Sequence, residues 1–210
     1  MENFPKYLLA GYADFKNNGY KKQAEKYHEL ADEGQKPETL IISCCDSRAT
    51  PEVIFNTKVG ELFVVRNVAN LVPIYAPDEG QHGTSAAIEF AILALKVKNI
   101  VVMGHGRCGG IQAALTKDFE PLEKGDFISK WIDMIKPLAK KVIAEKQKSA
   151  TERQTSLEHK SVINSLENLR TFPYIKELEG AGKLNLYGAW FDIKFGDLKI
   201  LDKEGDFTTA

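Results

Sequence analysis

Two short apolar runs, each followed by reactive side chains, decide the fold. The first is Thr39-Leu-Ile-Ile-Ser-Cys44 and the second is Asn99-Ile-Val-Val-Met103. Both lack the polar alternation of a half-exposed strand and are typical of strands buried on both faces. A third such run, Leu62-Phe-Val-Val65, lies between them, and helical patterns such as 83–96 separate the runs. The sequence therefore predicts an α/β fold with a mainly parallel β-sheet flanked by helices.

Outside these runs, the chain is predicted to form one domain, residues 1–210, with two parts. An N-terminal helical arm, 1–33, carries apolar residues at helical spacing on both sides of a break at 17–19. The α/β core, 34–210, ends in a segment that alternates between 184 and 201. This alternation predicts a C-terminal hairpin at the edge of the sheet.

A charged helical region, 125–170, precedes that hairpin. It carries a single apolar stripe, which is typical of helices that pack by one face. Thr155, Ser156 and Ser161 are the candidates to cap its last helix.

Composition and charge exclude several classes of protein. The 28 Lys and Arg balance the 29 Asp and Glu, giving a net charge of −1. A nucleic-acid or anionic-membrane binder needs a basic excess, so neither partner is expected. No apolar run approaches the ~18 residues of a membrane span, and the N-terminal segment lacks the pattern of a signal peptide. We therefore expect a cytoplasmic protein.

Two clusters of reactive side chains follow buried strands directly. They are Cys44-Cys45-Asp46-Ser47-Arg48 and His105-Gly106-Arg107-Cys108-Gly109-Gly110. Because the carboxyl ends of parallel strands share one edge of a sheet, we expect the clusters to meet. Cys44, His105 and Cys108 then offer two thiolates and one imidazole, a set that suits Zn²⁺ and leaves a fourth position for water. The sequence thus predicts a catalytic site with one zinc ion per chain.

The alternation of side chains in an extended segment assigns roles to the neighbours of Cys44. Cys44, Asp46 and Arg48 point to one side and Cys45 to the other, so Cys45 is expected to be a packed core thiol. An arginine fork keeps a carboxylate ionised, and Asp46 can then accept a hydrogen bond from zinc-bound water or hydroxide. Cysteine-nucleophile chemistry with His105 as the base is the alternative, but it leaves Asp46 and Arg48 without a role.

These motifs resemble the signature of the beta-class carbonic anhydrases. Cys-x-Asp-x-Arg is followed much later by His-x-x-Cys-Gly-Gly, and the similarity extends through 60–73, 86–91 and 101–113. The resemblance implies an α/β fold with a mainly parallel sheet. It also implies an obligate homodimer, or a dimer of dimers, and reversible hydration of carbon dioxide to bicarbonate by attack of zinc-bound hydroxide.

The resemblance also implies a role for each site residue. The positions that match the family are the zinc ligands Cys44, His105 and Cys108, the catalytic pair Asp46 and Arg48, and the substrate-binding residues Gln35, Phe63, Val68 and Gly109. In the family some of these residues come from the neighbouring subunit. Phe90 stands where many members have tyrosine.

Two rival functions and one regulatory expectation accompany this resemblance. A carbon disulfide or carbonyl sulfide hydrolase uses the same zinc site, and an inactive zinc-binding domain is the rival outside enzymes. Some members of the family lose activity below neutral pH, because the catalytic aspartate then leaves its arginine. This change is coupled to a second pocket, which uses a tryptophan three residues before the first cysteine. Ile41 stands at that position, so we expect Asp46 to stay paired with Arg48 across the neutral range.

Overall fold

The computed structural model describes residues 4–116 and 127–210, and within these ranges it forms an α/β structure. The strands are β1 (Thr39–Cys44), β2 (Leu62–Asn67), β3 (Asn99–His105), β4 (Asn185–Phe191), β5 (Leu198–Leu201) and β6 (Phe207–Thr209). The helices are α1 (Lys6–Asp14), α2 (Tyr20–Glu33), α3 (Pro51–Ile54), α4 (Gly83–Glu89), α5 (Gly109–Leu115), α6 (Ile128–Asp133), α7 (Lys136–Ile143), α8 (Ala150–Leu169) and α9 (Pro173–Gly180). A π-helical turn, Phe15–Gly19, joins α1 to α2, and a second, Phe90–Ala94, continues α4.

The described strands form one sheet in the order β2-β1-β3-β4-β5-β6. The first four run parallel, and β5 and β6 are antiparallel additions at the edge, which confirms the predicted fold and its C-terminal hairpin. Cys44 ends β1 and His105 ends the adjacent β3. The parallel pairing therefore places both reactive clusters at one edge of the sheet.

β1 is the centre of the core because both of its faces are covered. Leu40 and Ile42 pack on one face, in a cluster that includes Val162 of α8, whereas Ile41 packs on the other face against Met103. All of these side chains are buried. This two-sided burial explains why the sequence of β1 is almost continuously apolar.

The N-terminal arm is helical, as predicted, but the break expected at 17–19 is wrong. These residues continue the helix as the π-helical turn, and the change of direction comes only at Gly34. Gly34 has a φ of +81°, a left-handed value that glycine adopts without steric cost.

The expected cap of the last long helix is also wrong. Ser149 caps α8, its side chain accepting from the Glu152 N–H, while the Glu152 carboxylate accepts from the Ser149 N–H. This reciprocal pair is a capping box, and it sets the start of the helix before any of the predicted caps. Thr155, Ser156 and Ser161 therefore lie within α8. The start of the predicted helical region, at 125, lies outside the described residues.

No helix in the described parts of the chain is both long and apolar enough to cross a bilayer.

Candidate metal centre

Three buried side chains converge where β1 and β3 end. Cys44 closes β1, His105 closes β3, and Cys108 caps the start of α5. Their ligand atoms all lie within 4.8 Å of one another, and the two sulfur atoms are 3.9 Å apart. The structure thus brings together the three residues that the sequence predicts as metal ligands.

The two thiols of this cluster ionise very differently. A hydrogen bond from the Cys108 thiol lowers the pKa of Cys44 to about 4. The same contact, together with burial, raises the pKa of Cys108. The shared hydrogen bond thus favours the thiolate at Cys44, and a divalent cation bound there would favour the thiolate at both cysteines.

His105 has one ring nitrogen committed and one available. Its Nδ1 donates to the Gly106 carbonyl oxygen at 2.9 Å, which leaves the lone pair on Nε2. Within the described residues, Nε2 is buried and has no hydrogen-bond partner. A buried nitrogen without a partner is costly, and a metal ion held with the two sulfurs would satisfy it. The donor set of two sulfurs and one nitrogen fits Zn²⁺.

A carboxylate held by an arginine lies beside the ligands. Arg48 Nε donates to Asp46 Oδ1 at 2.9 Å, Arg48 Nη2 donates to Oδ2 at 2.7 Å, and the Arg48 backbone N–H donates to Oδ1 at 3.0 Å. This fork lowers the pKa of Asp46 well below its usual range. Asp46 Oδ2 lies 3.8 Å from His105 Nε2, so an ionised, fixed acceptor faces the centre of the cluster.

Comparisons with known proteins match this geometry to one family. A family model described as carbonic anhydrase matches residues 39–198. "Beta carbonic anhydrase 3" of Arabidopsis thaliana is 37% identical over 206 residues, covering 97% of this chain and 78% of the relative. The chain belongs to the beta class of the carbonic anhydrase family.

Further relatives agree with this assignment. "Beta carbonic anhydrase 5, chloroplastic", also of Arabidopsis thaliana, is 37% identical over 188 residues, and the match spans 85% of this chain and 58% of the relative. The structure of the beta-carbonic anhydrase CcaA superposes with a TM-score of 0.90 at 28% identity, over 98% of both chains. A structure from a study of two tetrameric beta-carbonic anhydrases of Sordaria macrospora has a TM-score of 0.82 at 30% identity, covering 97% of this chain and 98% of that one. Carbonic anhydrases are lyases that hydrate carbon dioxide, and this chain is accordingly an enzyme of that class.

Two of the four predicted substrate residues of this carbonic anhydrase lie beside the ligands. Gly109 follows Cys108 directly as the first residue of α5. Val68 packs against the start of the same helix, since its Cγ1 is 2.8 Å from the position that a Cβ on Gly110 would take. Val68, Trp131 and Met134 line a cavity of about 990 Å³. An apolar wall of this kind suits an apolar substrate.

The other two predicted substrate residues lie elsewhere in the chain. Gln35 precedes β1, whereas the metal cluster lies at the opposite, carboxyl end of that strand. Phe63 pairs with Leu40 in the sheet, four residues before Cys44, and its ring packs on Phe90 at 5.9 Å between centroids. The single chain therefore does not bring Gln35 and Phe63 to its own metal cluster.

Two charged residues support the ligands and were missed from the sequence. Arg66, in β2, donates through Nε to the Cys44 carbonyl at 2.9 Å and through Nη2 to the Asp46 carbonyl at 2.8 Å. Glu158, buried in α8, accepts from the Cys108 N–H and from Trp190 Nε1, both at 3.1 Å. Arg66 interrupts the apolar run of β2, whereas Glu158 lies among the charged residues of α8, where no local signal marks it.

Cys45 is not the packed core thiol that strand alternation predicted, because its side chain is exposed. Its N–H donates to the Asn67 carbonyl at 2.9 Å, so the backbone still follows the sheet. β1 ends at Cys44, however, so the side-chain alternation of the strand does not continue to Cys45.

Proposed function

We propose that this chain binds one Zn²⁺ through Cys44, His105 and Cys108 and uses it for the reversible hydration of carbon dioxide to bicarbonate and a proton. The observation that carries the proposal is a buried cluster of two sulfurs and one unpartnered imidazole nitrogen, faced by the Asp46 carboxylate. When bound, the zinc supplies the Lewis acidity that makes water a nucleophile at neutral pH.

Asp46 and Arg48 act as a unit in this proposal. The ionised Asp46 accepts a hydrogen bond from the attacking water and so orients it. The Arg48 fork fixes the direction of the carboxylate and holds it away from the ligand atoms. Arg48 Nη2 also lies 3.4 Å from the Arg107 carbonyl oxygen, which ties the unit to the loop that carries the other two ligands.

In this proposal, Val68 is part of the apolar surface that carbon dioxide contacts beside the cluster. Gly109 presents its backbone N–H near the point where negative charge develops on a carbon dioxide oxygen. Gln35 and Phe63 complete the pocket from a second copy of the chain, because each copy carries them away from its own cluster.

A homodimer, or a dimer of dimers, also explains the N-terminal arm. α1 has no buried residue, and its exposed apolar side chains include Tyr7 at 76% and Tyr12 at 61%. Large apolar side chains exposed along one helix are typical of an interface. The tetrameric relatives of Sordaria macrospora support the same assembly.

We also propose a cytoplasmic location. All three cysteines are free, and free cysteines are typical of proteins in a reducing compartment such as the cytosol. Cell fractionation with an antibody to the chain tests this location, and recovery in an organelle or outside the cell would contradict it.

Stopped-flow hydration of carbon dioxide tests the catalytic roles. Asp46→Asn should lower turnover at least ~10²-fold, the lower range for a lost positioned proton acceptor, and Arg48→Ala should act similarly. Ser47→Ala, between them in the same turn, is the matched control and should keep wild-type turnover. Near-normal turnover in Asp46→Asn would reduce the pair to a surface ion pair.

Mixing two inactive variants tests the shared pocket. Gln35→Ala and Asp46→Asn chains are purified separately, then unfolded and refolded together. If Gln35 acts on the partner, a mixed dimer contains one intact site, and activity rises above that of either variant refolded alone. Absence of recovery in verified mixed dimers would place Gln35 in its own subunit's site or outside any site.

A further inference from the structure

The loop after β2 has an unusual backbone conformation beside the metal centre. Ala69 has a φ of +65° and Asn70 a φ of +48°, so two consecutive non-glycine residues are left-handed. Both are buried, at 0% and 2% exposure. Non-glycine residues rarely adopt this region and persist there only when surrounding contacts hold them, often at functional sites.

Asn67 supplies the contacts that hold this loop. Its Oδ1 accepts from the Leu71 N–H and its Nδ2 donates to the Leu71 carbonyl oxygen, both at 2.9 Å. Nδ2 also donates to Thr84 Oγ1 at 3.3 Å. The Asn67 backbone is fixed at the same time, since it pairs with Cys44 across the sheet. The Asn67 side chain thus clamps Leu71, at the end of the left-handed segment, to β2, which pairs with the strand that carries Cys44.

The clamped loop directs a backbone donor at that ligand. The Ala69 N–H donates to Cys44 Sγ at 3.3 Å. A hydrogen bond to a ligating sulfur withdraws electron density from it and tunes the metal that it binds. Two thiolates donate strongly to a metal, so this hydrogen bond offsets part of their effect on its acidity.

We propose that Asn67 is a positioning residue for the metal centre, holding Ala69 and Asn70 left-handed so that the Ala69 amide hydrogen-bonds the Cys44 thiolate. This inference rests on the proposed function, because it assumes a metal ion at the Cys44, His105 and Cys108 cluster. It assigns Asn67 a role in metal affinity, through the backbone donor that it holds in place.

The test compares Asn67→Ala with Ser165→Ala. Ser165 Oγ binds the same loop, donating to the Asn70 carbonyl at 3.3 Å and accepting from the Val72 N–H at 3.2 Å, but it does not touch the clamp. Both variants should lower the unfolding midpoint. Only Asn67→Ala should weaken zinc binding, by roughly tenfold or more in competition with a chromophoric chelator, and shift the sulfur-to-cobalt charge-transfer band of the Co²⁺ form.

A rescue variant keeps the test decisive if Asn67→Ala folds poorly. Ala69→Gly retains the amide donor and removes the steric cost of a positive φ, so adding it to Asn67→Ala should restore part of the lost zinc affinity. An unchanged cobalt band and zinc affinity in Asn67→Ala, an equal band shift in Ser165→Ala, or no rescue by Ala69→Gly would overturn the inference. If the wild-type chain binds no zinc, the proposed function is overturned as well. If the wild-type chain binds zinc and hydrates carbon dioxide, any of these results overturns the inference about Asn67 alone.

Discussion

Replacing Glu158 should loosen the metal centre through the backbone of Cys108. Glu158 is 2% exposed, and its two oxygens accept from the Cys108 N–H and from Trp190 Nε1. Burial raises the pKa of its carboxyl group. The side chain therefore joins α8, β4 and the start of α5 through buried hydrogen bonds.

The size of the effect follows from the donors left unpaired. Glu158→Gln keeps one oxygen, so one of the two donors loses its acceptor, at about 1–3 kcal/mol. Removal of a buried charge offsets part of this loss. Glu158→Leu leaves both donors unpaired, at about 2–6 kcal/mol. A displaced Cys108 should also weaken zinc binding by about 10- to 100-fold, the usual cost of losing a partner that orients a ligand.

Urea unfolding of the zinc-free and zinc-loaded forms separates these two losses. The free energy of unfolding without zinc reports the fold, and the gain on adding zinc reports metal affinity. Ser161→Ala is the matched control, because Ser161 is buried in the same helix and its hydroxyl has no partner among the described residues. It should change neither quantity by more than about 0.5 kcal/mol.

The outcome that would refute this reasoning is specific. If Glu158→Leu lowers the zinc-free stability but gains as much from zinc as the wild type, Glu158 supports the fold and does not orient Cys108.

Three further predictions concern other parts of the molecule. Cys108→Ser should lose most of its zinc by elemental analysis, whereas Cys45→Ser should keep it, and the reverse result would mean that the wrong cysteine was assigned. The His159 ring packs on the Phe207 ring with 4.2 Å between centroids, and burial lowers the pKa of His159 to about 4. Below about pH 6.5 the unfolded chain therefore takes up a proton that the folded chain does not, which lowers the free energy of unfolding. His159→Phe removes this loss, so its free energy of unfolding should rise relative to the wild type by up to about 1 kcal/mol when the pH falls from 7.5 to 5, after allowance for the partial exposure of His159. A gain that is the same at both pH values would contradict this. Ile41 stands where the family resemblance implies a regulatory tryptophan, and Arg48 holds Asp46 ionised. Turnover should therefore follow a single ionisation near about pH 7 to 8, and a steeper loss on acidification would show that Asp46 leaves Arg48.

The parts of the site that lie next to strand ends could be predicted from the sequence. Cys44 and His105 follow apolar runs that only buried parallel strands explain, and the parallel arrangement then places them together. The spacing within each short cluster supplied Cys108, Asp46 and Arg48. At these positions the local sequence pattern and the parallel topology of the sheet place the same residues together, so the local pattern was sufficient to predict the site.

The residues that support the ligands could not be predicted in this way. Glu158 reaches Cys108 because of the rotation of α8 over the sheet, and no local pattern encodes that rotation. Asn67 lies within the stretch that resembles the family, but its clamp depends on the left-handed loop that follows it. The Ser149 cap, by contrast, has a local signal, since Glu152 follows three residues later, and that signal was overlooked.

The positions of Gln35 and Phe63 show a different limit. The proposed function places them in a site shared between two copies, because the strand register of one chain puts them away from its own ligands. A single sequence carries no information about which copy supplies a residue. The departure of Cys45 from strand alternation has a simpler cause, because β1 ends one residue before it.

The most direct test of the account is to measure metal content and carbon dioxide hydration on the same sample. The purified protein is assayed as isolated, after removal of metal with a chelator, and after stepwise return of Zn²⁺. The account predicts that activity is lost with the metal, returns in proportion to added zinc, and saturates at one zinc ion per chain. Full activity in the metal-free protein, or a fully zinc-loaded protein that does not hydrate carbon dioxide, would contradict it.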